Sequence, residues 1–308
     1  MSPIAPPSIV LVTAIAAAGQ DDDLSPLLAA CTAHGLRAQI RAWDDPSVAW
    51  ARYDAVLLRS PWDYSERLDE FLAWCERVDA VSRLLNPWPV LRWNTDKHYL
   101  SDLAARGVPV VPTAFVEPDM DAMPALQEFL LAYPQAEEFV VKPAVSAGSR
   151  DTLRYARVQE FAAANHIARL LDEGRSAMLQ PYLASVDRDG ETALIYFNGV
   201  FSHAIRKGAM LQREDALNLR AIERINPREA GDDERTVALH ALTAMTARLD
   251  LEEPLPYARV DLIRDADGRP QLLELELCEP SLFFDHAPGS ADRFARVLAE
   301  LLAVDASD

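Results

Sequence analysis

The stretch LLELELCEP, Leu272 to Pro280, sets two glutamates, Glu274 and Glu276, two residues apart inside an otherwise apolar run. In a strand, alternate side chains point to opposite faces, so these carboxylates share a face about 7 Å apart. Like charges side by side on a half-buried sheet cost stability unless something positive sits between them. A turn at DADGRP (265–270) separates this strand from YARVDLIR (257–264). Pairing the two as a hairpin brings Asp261 close to both glutamates, with Arg259 two residues earlier on the same face. Three converging carboxylates favour a hard divalent cation with oxygen ligands, Mg2+ before Zn2+. The competing reading is a solvated acidic face balanced by Arg259; the apolar flanks weaken it.

Outward from that hairpin, 308 residues suffice for two or three compact units. Half the residues are hydrophobic and a quarter charged, as in an ordinary soluble protein. Thirty basic against 48 acidic residues give a net charge of −18, which argues against nucleic acid and anionic membrane as partners. No apolar run approaches the roughly 18 residues of a membrane span. IVLVTAIAAA (9–18) has no basic residue before it and reads as a first strand rather than a signal peptide. A cytoplasmic location is the default expectation. Cys31, Cys75 and Cys278 lie far apart without CxxC spacing, which fits a reduced compartment and no zinc framework. The histidines show no ligand spacing, so carboxylates are left to hold any metal.

The first part alternates strand and helix signals: IVLVTAI, a helix near 24–34, a strand at 37–42, AVLLRS (55–60), and a helix over 67–81. That order implies a parallel sheet with functional loops at the strands' carboxyl ends. No GxGxxG follows the first strand and no Walker A sequence occurs. LLNPWPVLRWN (84–94), with two prolines and no periodicity, marks a boundary. Asn94 or Thr95 then caps a helix containing Lys97 and ending at Gly107. The middle section gives a helix to Tyr133, strand EFVVKP, loop SAGSRDT, strand LRY, helix 158–171 and strand SAMLQPYL. The last gives ETALIYF and VFSHAIRK joined by Asn198-Gly199, a two-residue hairpin signal. A helix over 232–249, the carboxylate hairpin and a C-terminal helix follow. The expected organisation is an α/β unit at 1–93, a linking helix with a small α+β unit at 94–183, and a mostly antiparallel α+β unit at 184–308. A ligand would be clamped between the last two.

Lys142 ends the strand EFVVKP beside a loop with Ser146, Gly148 and Ser149, a setting suited to phosphate because amides and small hydroxyls can approach closely. A solvated strand end explains Lys142 equally well in isolation, and a solvent-facing helix residue explains Lys97. Gln180, Tyr182 and Leu183 in LQPYL could form an adenine slot, or simply an edge strand stopped by proline. Arg206 and Lys207 close a strand and could face phosphate or water.

The order of these features resembles the ATP-grasp superfamily from about Asn94 to the end, with the preceding α/β unit matching that superfamily's usual N-terminal domain. The resemblance implies an ATP-grasp fold and ATP as co-substrate. It implies two Mg2+ ions (Mn2+ substituting) on Asp261, Glu274 and Glu276, with Arg259 as the catalytic phosphate-binding arginine. It implies nucleotide contacts from Lys97, Lys142, the Ser146–Arg150 loop and the hinge at Gln180, Tyr182 and Leu183. Glu276 stands where asparagine is usual, and Gln180-Pro181 replaces a commoner acidic hinge residue. Asp187 or Glu191 is left to serve the ribose, and Arg206 to serve phosphate. RSPWDY (59–64), NxDK and E-x-E-L-C-E-P are similar to a branch of small ligases that includes the D-cycloserine synthase acting on O-ureido-D-serine. On that resemblance an amino-acid-like carboxylate is phosphorylated by ATP and an amine attacks the acylphosphate. Arg59 either clamps the substrate carboxylate or pairs with Asp63. A two-substrate peptide ligase and a non-catalytic ATP sensor are the rival readings. Trp62, Trp74, Trp88 and Trp93 around the first boundary suit either a homodimer surface or a core.

Overall fold

A computed structural model describes residues 5–209, 211 and 224–305. The first layer contains β1 (Ser8–Thr13), α1 (Leu24–Ala33), β2 (Arg37–Ala42), β3 (Ala55–Ser60), α2 (Leu68–Asp79) and β4 (Arg83–Leu85). Its sheet is parallel in the order β2-β1-β3-β4. β1 and β3 are buried at every position, which is why they read as continuous apolar runs instead of alternating. The sheet reverses winding between β1 and β3, so the crevice expected at their carboxyl ends lies beside Ser60 and RSPWDY.

The proline-rich stretch is not an irregular boundary. It holds β4 and a helix, α3 (Trp88–Asn94), with Pro87 in extended conformation at its N-cap. Proline preorganises a helix start, and the two-turn length of α3 hides its periodicity. Asn94 ends α3 rather than capping the next helix. Its amide donates to Leu275 O (2.7 Å) and its oxygen accepts from Leu277 N (2.8 Å), tying α3 to the glutamate strand. The next helix, α4 (Tyr99–Ala104), begins after Lys97, which sits in the turn before it. The four tryptophans pack within the chain: Trp74 is buried, Trp62 and Trp88 pack against the same core cluster, and Trp93 joins the core around α4. They carry no argument for a dimer.

The central layer is an antiparallel sheet, β5-β8-β6-β7, from β5 (Ala114–Val116), β6 (Glu138–Pro143), β7 (Leu153–Ala156) and β8 (Ala177–Pro181). It is backed by α5 (Ala122–Ala132) and α6 (Glu160–Asp172), whose apolar faces enclose Phe139, Tyr155 and Leu179. A short helix, α7 (Ser185–Asp189), leads into β9 (Glu191–Phe197), and β10 (Val200–Lys207), β11 (Ile225–Arg228), α8 (Asp232–Leu249), β12 (Tyr257–Arg264), β13 (Pro270–Glu276) and α9 (Ser290–Asp305) complete the chain. The five strands run antiparallel as β11-β10-β9-β12-β13. Asn198 and Gly199 both take positive φ, as a two-residue hairpin of right-twisted strands requires.

This last sheet has two unlike faces. Leu194, Tyr196, Ala204, Val260, Leu262, Leu272 and Leu275 pack against α4 and α8. The other face is apolar at one end, where Ile195, Phe197, Ile205 and Tyr257 meet α1 and α9. At the opposite end it is charged, and that end faces the central layer. Gly190 sets the entry to β9 with φ +70° and ψ −169°, a region open essentially to glycine alone. A Cβ there would lie 2.3 Å from Lys207 O. Gly190→Ala is therefore expected to cost about 2–3 kcal/mol in chemical denaturation. Among the described residues no helix is long and apolar enough to cross a membrane.

Candidate active site

Strand register builds the charged end. Asp261 is paired with Glu274 and Arg259 with Glu276 across β12 and β13, so all four side chains share one face. Beyond Asp261 the register slips by one residue at Leu273. This bulge lets both Leu272 and Leu275 reach the core while the two glutamates keep the opposite face. On the neighbouring strands Glu191 and Lys207 are paired on the same face. The site is thus one patch across four strands.

Within it each acid is met by a base. Arg259 Nε and one Nη bind Asp261 at 2.9 and 3.0 Å, and the same guanidinium contacts Glu276. Lys207 bridges Asp261 (2.7 Å) and Glu191 (2.8 Å). From the central layer Lys142 reaches Glu274 at 2.7 Å. Lys97 donates to Ser146 O (3.0 Å) and Oγ (3.2 Å), fixing the start of the glycine-serine loop. Burial opposes the Asp261 carboxylate, but Arg259 and Lys207 hold its pKa below the ordinary range. Burial is likewise outweighed at Glu274, where Lys142 and Lys97 keep the carboxyl well below it. Glu276 goes the other way: burial pushes it up to about 8, with Asp261 adding to the rise and Arg259 opposing it.

Asp261, Glu274 and Glu276 therefore converge, as expected, but each is turned toward a cation. Among the described residues no group of three or more His, Cys, Asp or Glu is arranged to hold an ion as it stands. The donor chemistry still fits a hard divalent cation, since three carboxylates on one face are oxygen ligands of the right kind. Four cations (Lys97, Lys142, Lys207, Arg259) and four carboxylates (Glu191, Asp261, Glu274, Glu276) balance in formal charge. Opening their pairs would offer the bases to phosphate oxygens and the acids to metal.

Several expectations need correction. Arg206 does not join the patch. It lies on the opposite face of β10, donating to Arg188 O and Asp189 O at the end of α7, and Lys207 takes the place foreseen for it. Alternation alone held this signal, because Lys207 and Ile205 share parity and Arg206 does not. Arg206→Ala should accordingly leave turnover within a few-fold, whereas Lys207→Ala should lower kcat about 100-fold or more; steady-state ADP release separates the two. Asp187 is engaged by Arg154 and Tyr182, and Glu191 by Lys207. Arg59 does not pair with Asp63, which accepts instead from Trp43 and Arg67. Its guanidinium is wholly buried (0% exposed) and donates to Pro280 O at 2.6 Å, with Asp23 at 3.8 Å and Tyr257 beneath. Enclosed in this way, it is shut off from solvent, with Nε left without a partner among the described residues.

Gln180 is buried and spends its amide on Thr113 Oγ1 (2.9 Å), so its side chain does not read a base. The Tyr182 amide donates to Glu138 O (2.9 Å), and Arg154 covers one face of its ring at 3.5 Å. Leu183 and Tyr182 pack with Val111, Val186, Ile263 and Leu273, forming an apolar wall between the central and last sheets. In the glycine-serine loop Gly148 and Ser149 take positive φ, and Arg150 pairs with Glu66 of the first layer.

Comparison with known proteins fits this arrangement. Residues 9–86 match the family described as the D-cycloserine synthetase DcsG N-terminal domain. The cycloserine biosynthesis protein DcsG of Streptomyces lavendulae is 50% identical over 294 residues, spanning 96% of this chain and 98% of its own. This chain belongs to the DcsG family. It is an ATP-dependent ligase. The crystal structure of D-cycloserine synthetase DcsG aligns with a TM-score of 0.92 at 49% identity, covering 96% of this chain and 99% of that one. D-alanine–D-alanine ligase from Bacillus anthracis shares the fold more distantly (TM-score 0.66, 14% identity, 97% and 98% coverage). So does the ATP-grasp ligase PsnB in complex with a precursor variant, Mg and ADP (TM-score 0.63, 18% identity, 97% and 100% coverage). The DcsG family fold is accordingly that of the ATP-grasp ligases, with a parallel sheet followed by two antiparallel ones.

Proposed function

We propose that this ligase closes a ring on a small amino-acid-like substrate, O-ureido-serine, in cycloserine formation. The supporting observation is the patch where Lys207, Arg259 and four carboxylates share one sheet face, met by Lys142 from the central layer and Lys97 beside the glycine-serine loop. ATP is the co-substrate. Lys97, Lys142, Lys207 and the loop at Ser146, Gly148 and Ser149 hold its phosphates, and the apolar wall at Leu183 receives its base. Asp261, Glu274 and Glu276 would hold Mg2+, two ions with Mn2+ able to replace them, which neutralises charge on the phosphates. The substrate carboxylate attacks the γ-phosphorus in line, giving an acylphosphate and ADP. Arg259 stabilises the transferring group, a task of positioning and charge more than of protein nucleophilicity. The nitrogen bonded to the substrate's side-chain oxygen then attacks the acyl carbon, and phosphate leaves. Hydrolytic loss of the carbamoyl group would complete cycloserine.

The experiment is ADP release with Mg2+, ATP and each enantiomer of O-ureidoserine, without added amine. Turnover on that compound alone supports ring closure. Silence until an amine is added would favour a two-substrate peptide ligase, and ATP binding without ADP release on any small acid would favour a sensor.

A further inference from the structure

Five carboxylates approach the gap beside Arg259, and four of them are neutralised by lysine or arginine, as described above. Glu279 is the fifth. Among the described residues no lysine or arginine nitrogen comes within ion-pairing distance of it, while Lys97 and Arg259 act on it from further away. The polar groups acting on its carboxylate from nearby are the Tyr64 hydroxyl, from RSPWDY, and the Cys278 thiol. Burial pushes its carboxyl above the ordinary glutamate range, the expected result for a half-buried acid with no counter-ion among the described residues. A carboxylate accepts about four hydrogen bonds, so these neighbours leave room for an ammonium group.

The segment that carries Glu279 is unusually well held. Trp62 Nε1 donates to Glu279 O (3.3 Å), Arg59 to Pro280 O (2.6 Å) and Arg259 to Ser281 O (3.1 Å). The Asp23 carboxylate then accepts from the amides of Leu282 (2.6 Å), Phe283 (3.1 Å) and Phe284 (2.9 Å). Phe283 sits at φ +55°, a costly conformation for a bulky residue that persists only where its surroundings impose it. Six hydrogen bonds over six residues hold the loop that carries this carboxylate, which has no ion-pair partner among the described residues, beside both Arg259 and the crevice of the first sheet.

We propose that Glu279 is the acceptor for the substrate's ammonium group, oriented by Tyr64, so that RSPWDY and the loop after the glutamate strand together select an amino acid over a plain carboxylic acid. Arg59 is then a positioning residue that acts through Pro280. The inference rests on the amino-acid substrate class of the reading above and adds the group that recognises it.

The test compares O-ureidoserine with its des-amino analogue, which lacks only the α-amino group, for binding to the MgAMPPNP complex of the full chain. Trp62, bonded to the Glu279 carbonyl, supplies a fluorescence readout. The native protein is expected to prefer the amino compound by about 30-fold or more, the scale of a buried charge pair. Glu279→Gln should erase most of that preference and leave AMPPNP affinity unchanged. Tyr64→Phe, which keeps the ring in the core, should reduce the preference by a smaller factor. A Glu279→Gln protein that retains the native preference overturns the proposal, and so does a native protein that shows none. The two readings fail separately: no ADP release from O-ureidoserine, with another amino acid still preferred over its des-amino form and Glu279→Gln still erasing that preference, overturns the substrate and upholds Glu279.

Discussion

Glu274→Gln is expected to slow ADP release by about 10^2–10^3-fold while leaving the protein folded. Glu274 faces Asp261 across the hairpin and takes Lys142 from the central layer, so it joins the two elements proposed to close on the nucleotide. Glutamine keeps the side-chain shape and an oxygen for Lys142 to donate to. What it loses is charge, and hard divalent cations depend on the charge of their ligands. The loss should therefore show first as a higher Mg2+ requirement, partly recovered at raised Mg2+, with a smaller effect on ATP affinity measured without metal. A native Mg2+ dependence in Glu274→Gln would remove Glu274 from the metal-binding set. Thermal unfolding provides the control. Lys142 is only 6% exposed, so some destabilisation from its weakened partner is expected. A large fall in Tm with an unchanged Mg2+ requirement would make Glu274 a structural ion-pair residue and nothing more.

The site was legible wherever chemistry follows strand period. Arg259, Asp261, Glu274 and Glu276 fall on one face because i and i+2 must, and the DADGRP turn pairs their strands. Lys207 obeys the same rule, yet it stands next to another base, and only its pairing with Glu191 settles which of the two looks inward. The bulge at Leu273 leaves no mark in the sequence, because a leucine there suits either phase of the strand. α3 was illegible for another reason: two prolines two residues apart look like a break, although Pro87 precedes the seven-residue helix and Pro89 lies in its first turn, where no amide is needed. Glu279 lies in the E-x-E-L-C-E-P motif without a role the spacing reveals, since a carboxylate lacking a cation among the described residues is recognisable only once the partners of its neighbours are known. Asp23 gave no signal. It lies 259 residues from the loop it holds, and nothing local distinguishes it from the exposed Asp22 beside it.

Asp23→Ala is for that reason the most instructive stability experiment. Its carboxylate satisfies three consecutive amides, two of them on the buried residues Leu282 and Phe284, and it is the acid nearest the buried Arg59 guanidinium. Leaving such groups unsatisfied costs about 1–3 kcal/mol each, and partial hydration of the exposed side lowers the sum. The expected loss is about 4 kcal/mol, or roughly 10 °C in Tm, whereas Asp22→Ala should stay within about 0.5 kcal/mol. Asp23→Asn retains one acceptor oxygen and should fall between them. The functional consequence follows from the same bonds. Asp23 touches none of the residues proposed to hold phosphate, but it fixes 282–284, and through them the chain that carries Glu279. Below its lowered Tm the Asp23→Ala protein should bind MgATP normally and turn over the amino-acid substrate with a raised KM. An unchanged KM would mean that Arg59, Trp62 and Arg259 hold residues 279–281 without help from Asp23.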